Sequence, residues 1–181
     1  MKPEMGLLVC ALIIPLLVNG GRGKIKLSSS AFGDGKAMPS KYARQGVTGG
    51  LNLSVPLAWE NIPEGTKSLA LVCVDHHPIA NKWIHWMVID IPPSARSIPE
   101  GASTTDKMPK DCVELKNTFG DIGYGGPQPP KGTGPHKYKF VLYALTVDSL
   151  ALEPVTSLKT FTKAVEGKVV ASASWIGIFE R

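Results

Sequence analysis

The sequence lacks any run of Lys or Arg and any basic patch interleaved with aromatics, although it carries 20 Lys and Arg against 15 Asp and Glu. Electrostatic binding to phosphate backbones needs such a cluster, so nucleic acid is excluded as a partner, while the net charge of +5 leaves room for small anions or anionic lipid. Cysteine is scarce, at three residues, and one of these, Cys10, lies in the first twenty. Cys73 sits in an apolar run where a thiol behaves as a small hydrophobe, and Cys73 and Cys112 are read as unpaired. Internal repeats, low-complexity tracts and linker-like stretches are also missing, which makes residues 21–181 one domain with a full core.

The familiar catalytic signatures are absent too. There is no Gly-x-Ser-x-Gly elbow, and Gly126-Pro-Gln-Pro-Pro-Lys131 misses the phosphate-loop spacing. Gly132-Thr-Gly134-Pro-His-Lys137 lacks the third glycine of a dinucleotide fingerprint. His76, His77 and His85 near Asp75 match no standard zinc spacing, so neither a metal nor a cofactor is expected. Lipidation at Cys10 is not expected, since no small residues precede it in the lipoprotein manner.

Turn formers, in contrast, are abundant. Fifteen prolines and nineteen glycines favour a mainly β fold. Residues 1–20 place one Lys before an apolar stretch from Met5 to Val18, followed by Asn19 and Gly20. That pattern reads as a signal peptide for export, periplasmic or extracellular, with a retained membrane anchor as the second reading. Leu69–Val74 and Ile84–Ile91 lack polar alternation and read as central strands covered on both faces. Residues 92–121, with four prolines and little periodicity, read as a long connection over the sheet edge and as the most mobile ordered part. A strand is expected over Tyr138–Thr146. Ser157 or Thr156 caps a helix with Leu158, Phe161 and Val165 on one face, stopped by Gly167, and Lys168–Phe179 returns to β character.

The most informative stretch is Tyr124-Gly-Gly-Pro-Gln-Pro-Pro-Lys-Gly-Thr-Gly-Pro-His136, with four glycines and four prolines in thirteen residues. No helical or strand period survives that composition. Proline stiffness and glycine's tolerance of close approach describe a rigid wall facing a ligand. His136 ends this loop at the mouth of a strand, Asp75 ends one central strand, and His85 lies inside the next. The three are expected to converge on one pocket, where imidazoles and loop N–H groups donate to a phosphate or carboxylate and Asp75 orients a histidine. Trp86, adjacent to His85, is expected to face the other way, and Trp83 and Trp59 read as packing residues.

Asp75, the pair His85-Trp86, and the run from Tyr124 to Tyr138 resemble the two signature regions of the phosphatidylethanolamine-binding protein family, in particular its bacterial and archaeal branch, often labelled Raf kinase inhibitor-like. The likeness extends from about Phe32 to Arg181 and includes Leu51–Trp59, Pro63–Leu71 and Ile91-Pro-Pro93. It implies a sandwich of antiparallel-type sheets with one or two peripheral helices. It also implies an anion pocket in which Asp75, His85, His136 and Tyr138 bind and Tyr124, Pro129 and Pro130 form the rim, with Gly126 in the same loop.

Two departures stand out. Where the family usually has a second aspartate two residues after the first, this chain has His77, which removes a negative charge at the entrance and favours an anionic ligand. Phe179 replaces a common tyrosine, so a rim hydroxyl is missing. The expected function is binding of a phosphate-bearing small molecule or lipid headgroup. The resemblance adds inhibition of a kinase or protease target, and a homodimer is compatible with it. The alternative is a hydrolase or metal-dependent enzyme using the Asp75, His85 and His136 cluster.

Overall fold

Ser68–Asp75 and Ile84–Ile91 each carry eight residues of almost unbroken apolar character, and they form neighbouring strands in the middle of the larger of two sheets. The computed structural model describes residues 24–181, so the expected leader, with Cys10, falls outside the described residues. In chain order the strands are β1 (Lys26–Ser28), β2 (Lys36–Ala37), β3 (Leu57–Glu60), β4 (Ser68–Asp75), β5 (Ile84–Ile91), β6 (Ser97–Ile98), β7 (Val113–Glu114), β8 (His136–Leu145) and β9 (Val169–Phe179). One helix, α1 (Leu158–Val165), lies between β8 and β9.

The large sheet has the order β2-β9-β8-β4-β5-β7 and the small one β1-β3-β6. All pairings are antiparallel except the short β2–β9 contact. This is the β-sandwich expected from the sequence. Alternation along β4 explains its lack of polar residues: Leu69, Leu71 and Cys73 join the core shared with Leu27, Leu57 and Trp59 of the small sheet, whereas Ala70, Val72 and Val74 pack with Phe161 and Val165 of α1. A strand covered on both sides has no polar face to display.

Ser157 caps α1 by accepting from the Thr160 amide at 3.0 Å, and the chain leaves the helix through Gly167 at φ +70°. The connection 92–121 is tied down by a carboxylate. Glu114 accepts from Trp86 Nε1 at 2.7 Å, from the Ser103 hydroxyl at 2.6 Å and from the Thr104 amide at 2.6 Å. Its segments extend both sheets, β6 on the small one and β7 at the edge of the large one. Both described thiols are free; Cys73 is buried, and burial with the nearby Glu114 pushes the Cys112 thiol up to about 11. Among the described residues no helix is long and apolar enough to cross a membrane.

Candidate functional site

The adjacent ends of β4, β5 and β8 meet the Gly/Pro loop around a cavity of about 240 Å³. Register brings the polar groups there. Asp75, the last residue of β4, pairs with Tyr138 of β8, and His136 opens β8 two residues earlier. On the other side of β4, Val74 pairs with Ile84 and Cys73 with Trp86, which leaves His85 as the extra residue of a β-bulge. Bulges re-aim side chains. Here the bulge frees His85 to line the cavity while Trp86 turns into the sandwich, edge-on to Tyr124 and hydrogen-bonded to Glu114.

Asp75, His85, His136 and Tyr138 therefore do line one cavity, together with Pro129 and Pro130. The remaining walls are largely apolar: Ile79, Ala80, Trp83 and Phe119, with Gln128 adding an amide. Trp83, a packing residue by its sequence context, forms part of the wall, and Phe119 and Gln128 carry no signal of their own in the sequence. Phe119 comes from the aperiodic connection before the loop, where no pattern points to a pocket. Arg44 covers the Phe119 ring at 4.1 Å and pairs with Asp121 at 2.8 Å.

Other expected members sit elsewhere. Tyr124 is buried, and its hydroxyl donates to the Tyr42 carbonyl at 3.0 Å, so it braces the loop from behind instead of forming the rim. Gly126 is pressed against the Tyr42 and Ala43 backbone, where a β-carbon would collide. Its amide donates to Asn52 Oδ1 at 2.7 Å, the Gly125 amide donates to the His85 carbonyl at 2.8 Å and the Gly132 amide to the Arg181 carbonyl at 3.1 Å. The expectation that these glycine amides reach for an anion is thus corrected: they fasten the loop to the fold. His77 lies behind His136, stacked at 3.9 Å between ring centroids and 14° between planes, and its amide donates to Asp75 Oδ1 at 2.8 Å.

The two site imidazoles are held by different partners. His136 Nδ1 and Asp75 Oδ2 are 2.6 Å apart with both side chains buried. The other ring nitrogen, Nε2, is 2.9 Å from the Thr133 hydroxyl, whose single proton goes to the Pro130 carbonyl at 2.8 Å. Both ring nitrogens of His136 are thus engaged within the protein, Nδ1 by the Asp75 carboxylate and Nε2 by the Thr133 hydroxyl. His85 faces the Gly125 carbonyl with Nδ1 at 2.6 Å, and a carbonyl only accepts, so Nδ1 carries hydrogen. Burial lowers its pKa to about 4, against the weaker opposing pull of the Gly125 carbonyl and Asp75, so the ring is neutral. The expectation that both imidazoles donate to a ligand is therefore corrected: both nitrogens of His136 are engaged by Asp75 and Thr133, and His85 spends its Nδ1–H on the Gly125 carbonyl. Burial and the nearby Asp75 carboxylate keep the Tyr138 phenol protonated. Among the described residues, no group of three or more His, Cys, Asp or Glu is arranged to hold a metal ion.

Comparison with known proteins agrees with this architecture. The family model described as phosphatidylethanolamine-binding protein matches residues 28–180. A UPF0098 protein of Methanothermobacter thermautotrophicus is 38% identical over 157 residues, covering 87% of this chain and 99% of the relative. The Escherichia coli UPF0098 protein YbhB is 34% identical over 158 residues, covering 86% and 99%. Among solved structures, Escherichia coli YbcL, described as a new member of the mammalian family, superposes with a TM-score of 0.81 at 29% identity, covering 88% of this chain and 99% of that one. A Chlamydia trachomatis homologue gives 0.74 at 32% identity, covering 87% and 98%. On the match of nearly the whole described domain and of relatives over almost their full length, the chain belongs to the phosphatidylethanolamine-binding protein family.

Proposed function

We propose that this protein binds a small phosphate-bearing molecule, free or as a lipid headgroup, in the cavity between the ends of β4, β5 and β8 and the loop 124–136. The observation that carries this reading is the convergence of Asp75, His85, His136 and Tyr138 at one end of an otherwise apolar cavity. A cavity of this kind orients a ligand by a few placed polar groups and holds the remainder by contact. The protonated Tyr138 phenol and the Gln128 amide are neutral donors for phosphate oxygens. Trp83, Phe119, Pro129 and Pro130 receive the rest of the molecule. Ile79, 57% exposed at the mouth, offers an apolar contact to whatever carries the headgroup, and a kinase or protease regulated by this protein would meet the same surface.

Titration with O-phosphorylethanolamine, followed by amide shifts in a ¹H–¹⁵N spectrum, tests the reading. Saturable shifts centred on Asp75, His85, Gln128 and Tyr138 are expected. Shifts confined to the separate groove between β1 and β9 around Trp175, or none at millimolar ligand, would overturn it.

A further inference from the structure

The two sheets of the sandwich end differently on its two sides. On one side the edge strands β6 and β7 both belong to the connection 92–121, and Glu114 of β7 ties Ser103 and Thr104 between them. On the other side β1 edges the small sheet, and the large sheet ends in β9 with only the two-residue β2 beyond it. β2 covers β9 at Gly177 and Ile178 alone. Between β1 and the uncovered part of β9 runs a groove of about 580 Å³, with Leu27 on one wall and Ala173 and Trp175 on the other.

Strand geometry fixes which backbone groups of β9 point outward, because the N–H and C=O of alternate residues face the same side. The Ile176 carbonyl accepts from the Gly35 amide at 2.8 Å and the Ile178 carbonyl from the Met38 amide at 2.8 Å, while the Ile176 amide donates to Asp34 Oδ1 at 2.8 Å. Even-numbered residues therefore face outward. Counting back, Ser174 and Ser172 present their N–H and C=O to the open side, and among the described residues no strand or loop backbone pairs with them there. A register shift before Ala171 ends the regular stretch. Edges left free in native proteins are commonly guarded by charged side chains or proline, and residues 169–176 hold neither.

We infer that this edge is a strand-addition site: an extended segment of a partner protein, basic and alternating between apolar and polar residues, pairs antiparallel with β9 at Ser172–Ser174. Main-chain hydrogen bonds hold such a segment, and the groove selects its side chains. Residues of the added strand opposite Ala171 and Ala173 face the same side as Trp175, where the small alanines leave room for bulky apolar groups against Leu27. Those opposite Ser172 and Ser174 face the other way and are polar. The charge of the segment follows from the groove. Asp34 and Glu60 line it against Lys26 alone, and none of the three is in an ion pair among the described residues.

Amide hydrogen exchange and ¹H–¹⁵N spectra of the full chain, alone and with the peptide acetyl-Lys-Ile-Thr-Val-Thr-Arg-amide, make the test. The Ser172 and Ser174 amides are expected to exchange freely in the protein alone and at least tenfold more slowly at saturating peptide, with the Trp175 indole N–H shifting in step. The same peptide N-methylated at its four central amides keeps its charge and side chains but cannot pair, and should bind at least tenfold more weakly. Equal binding of the two peptides, shifts centred on Asp75 and Tyr138 instead, or no shift at millimolar peptide overturns the inference. So does slow exchange of Ser172 and Ser174 without peptide: independent of protein concentration, it would mean that the chain's own N-terminal residues cover the edge, and dependent on it, that a second copy does. None of these outcomes bears on phosphate binding in the cavity.

Discussion

The Asp75 carboxylate and the His136 imidazole meet at 2.6 Å, Oδ2 to Nδ1, with side chains 5% and 1% exposed. Asp75 closes β4 and His136 opens β8, so this contact pins the Gly/Pro loop to the sheet that carries the cavity. Removing one partner of a buried pair strands the other and costs about 3 kcal/mol or more. Asp75→Asn is expected to lower stability by that order in urea unfolding at neutral pH. His136→Gln added to Asp75→Asn should cost far less than His136→Gln alone. Additive losses would show that the two side chains are not coupled.

His85 makes stability depend on pH. Its ring is held neutral in the fold, with its pKa lowered to about 4 from the ordinary 6.5 because burial disfavours the cation. Between those values the unfolded chain binds more protons, so stability rises with pH. The contribution is complete above about pH 6.5 and is lost progressively as pH falls toward 4, amounting to about 3 kcal/mol across that window. Urea midpoints measured from pH 7 to pH 4 should fall for wild type and flatten in His85→Gln, which cannot titrate. An equal slope in both proteins would place the titration on another group.

Much of this was legible in the chain itself, and what was not has identifiable causes. The apolar runs of β4 and β5 announced buried strands because both faces of each are covered, and Ser157, Phe161 and Val165 announced α1 by a cap and a three-to-four spacing. Asp75, His85 and His136 stood out as polar residues at the ends or middle of such runs. The bulge at His85 did not, because an extra residue in a strand leaves no mark on an apolar sequence. The use of the Gly126 amide was also hidden, since its acceptor, Asn52, is 74 residues away. Composition shows that a loop can approach something closely; it does not say whether that is a ligand or the protein's own backbone.

That distinction is measurable at two glycines of the loop. A β-carbon at Gly126 would run into the Tyr42 carbonyl and Ala43 backbone, neither of which can move without disturbing the Tyr124–Tyr42 bond. At Gly134 nothing lies within 4 Å, and the only penalty is a φ of +78°. Gly134→Ala is expected to cost about 1 kcal/mol, the usual penalty of a side chain in the left-handed region. Gly126→Ala is expected to cost about 3 kcal/mol or more, or to prevent folding. Thermal unfolding of the two variants decides the matter, and a Gly126→Ala protein as stable as Gly134→Ala would refute the buried-brace role of this segment.

His77 offers a test of how charge behind His136 controls the ligand. Its amide, which any residue would supply, caps Asp75 Oδ1, while its ring backs His136. Replacing it by aspartate keeps the cap, removes the stacked ring and introduces a negative charge beside the Asp75–His136 pair. A like charge near a bound anion, partly screened by solvent, opposes it by about 1 kcal/mol, or several-fold in affinity. His77→Asn separates the contributions, since it loses the ring without adding charge. Phosphate affinity is expected to fall in the order wild type, His77→Asn, His77→Asp. The gap between the two variants should narrow when ionic strength rises from 0.01 M to 1 M, because screening reaches a partly exposed charge. Tighter phosphate binding by His77→Asp than by His77→Asn would mean that the anion does not sit on the His136 side of the cavity.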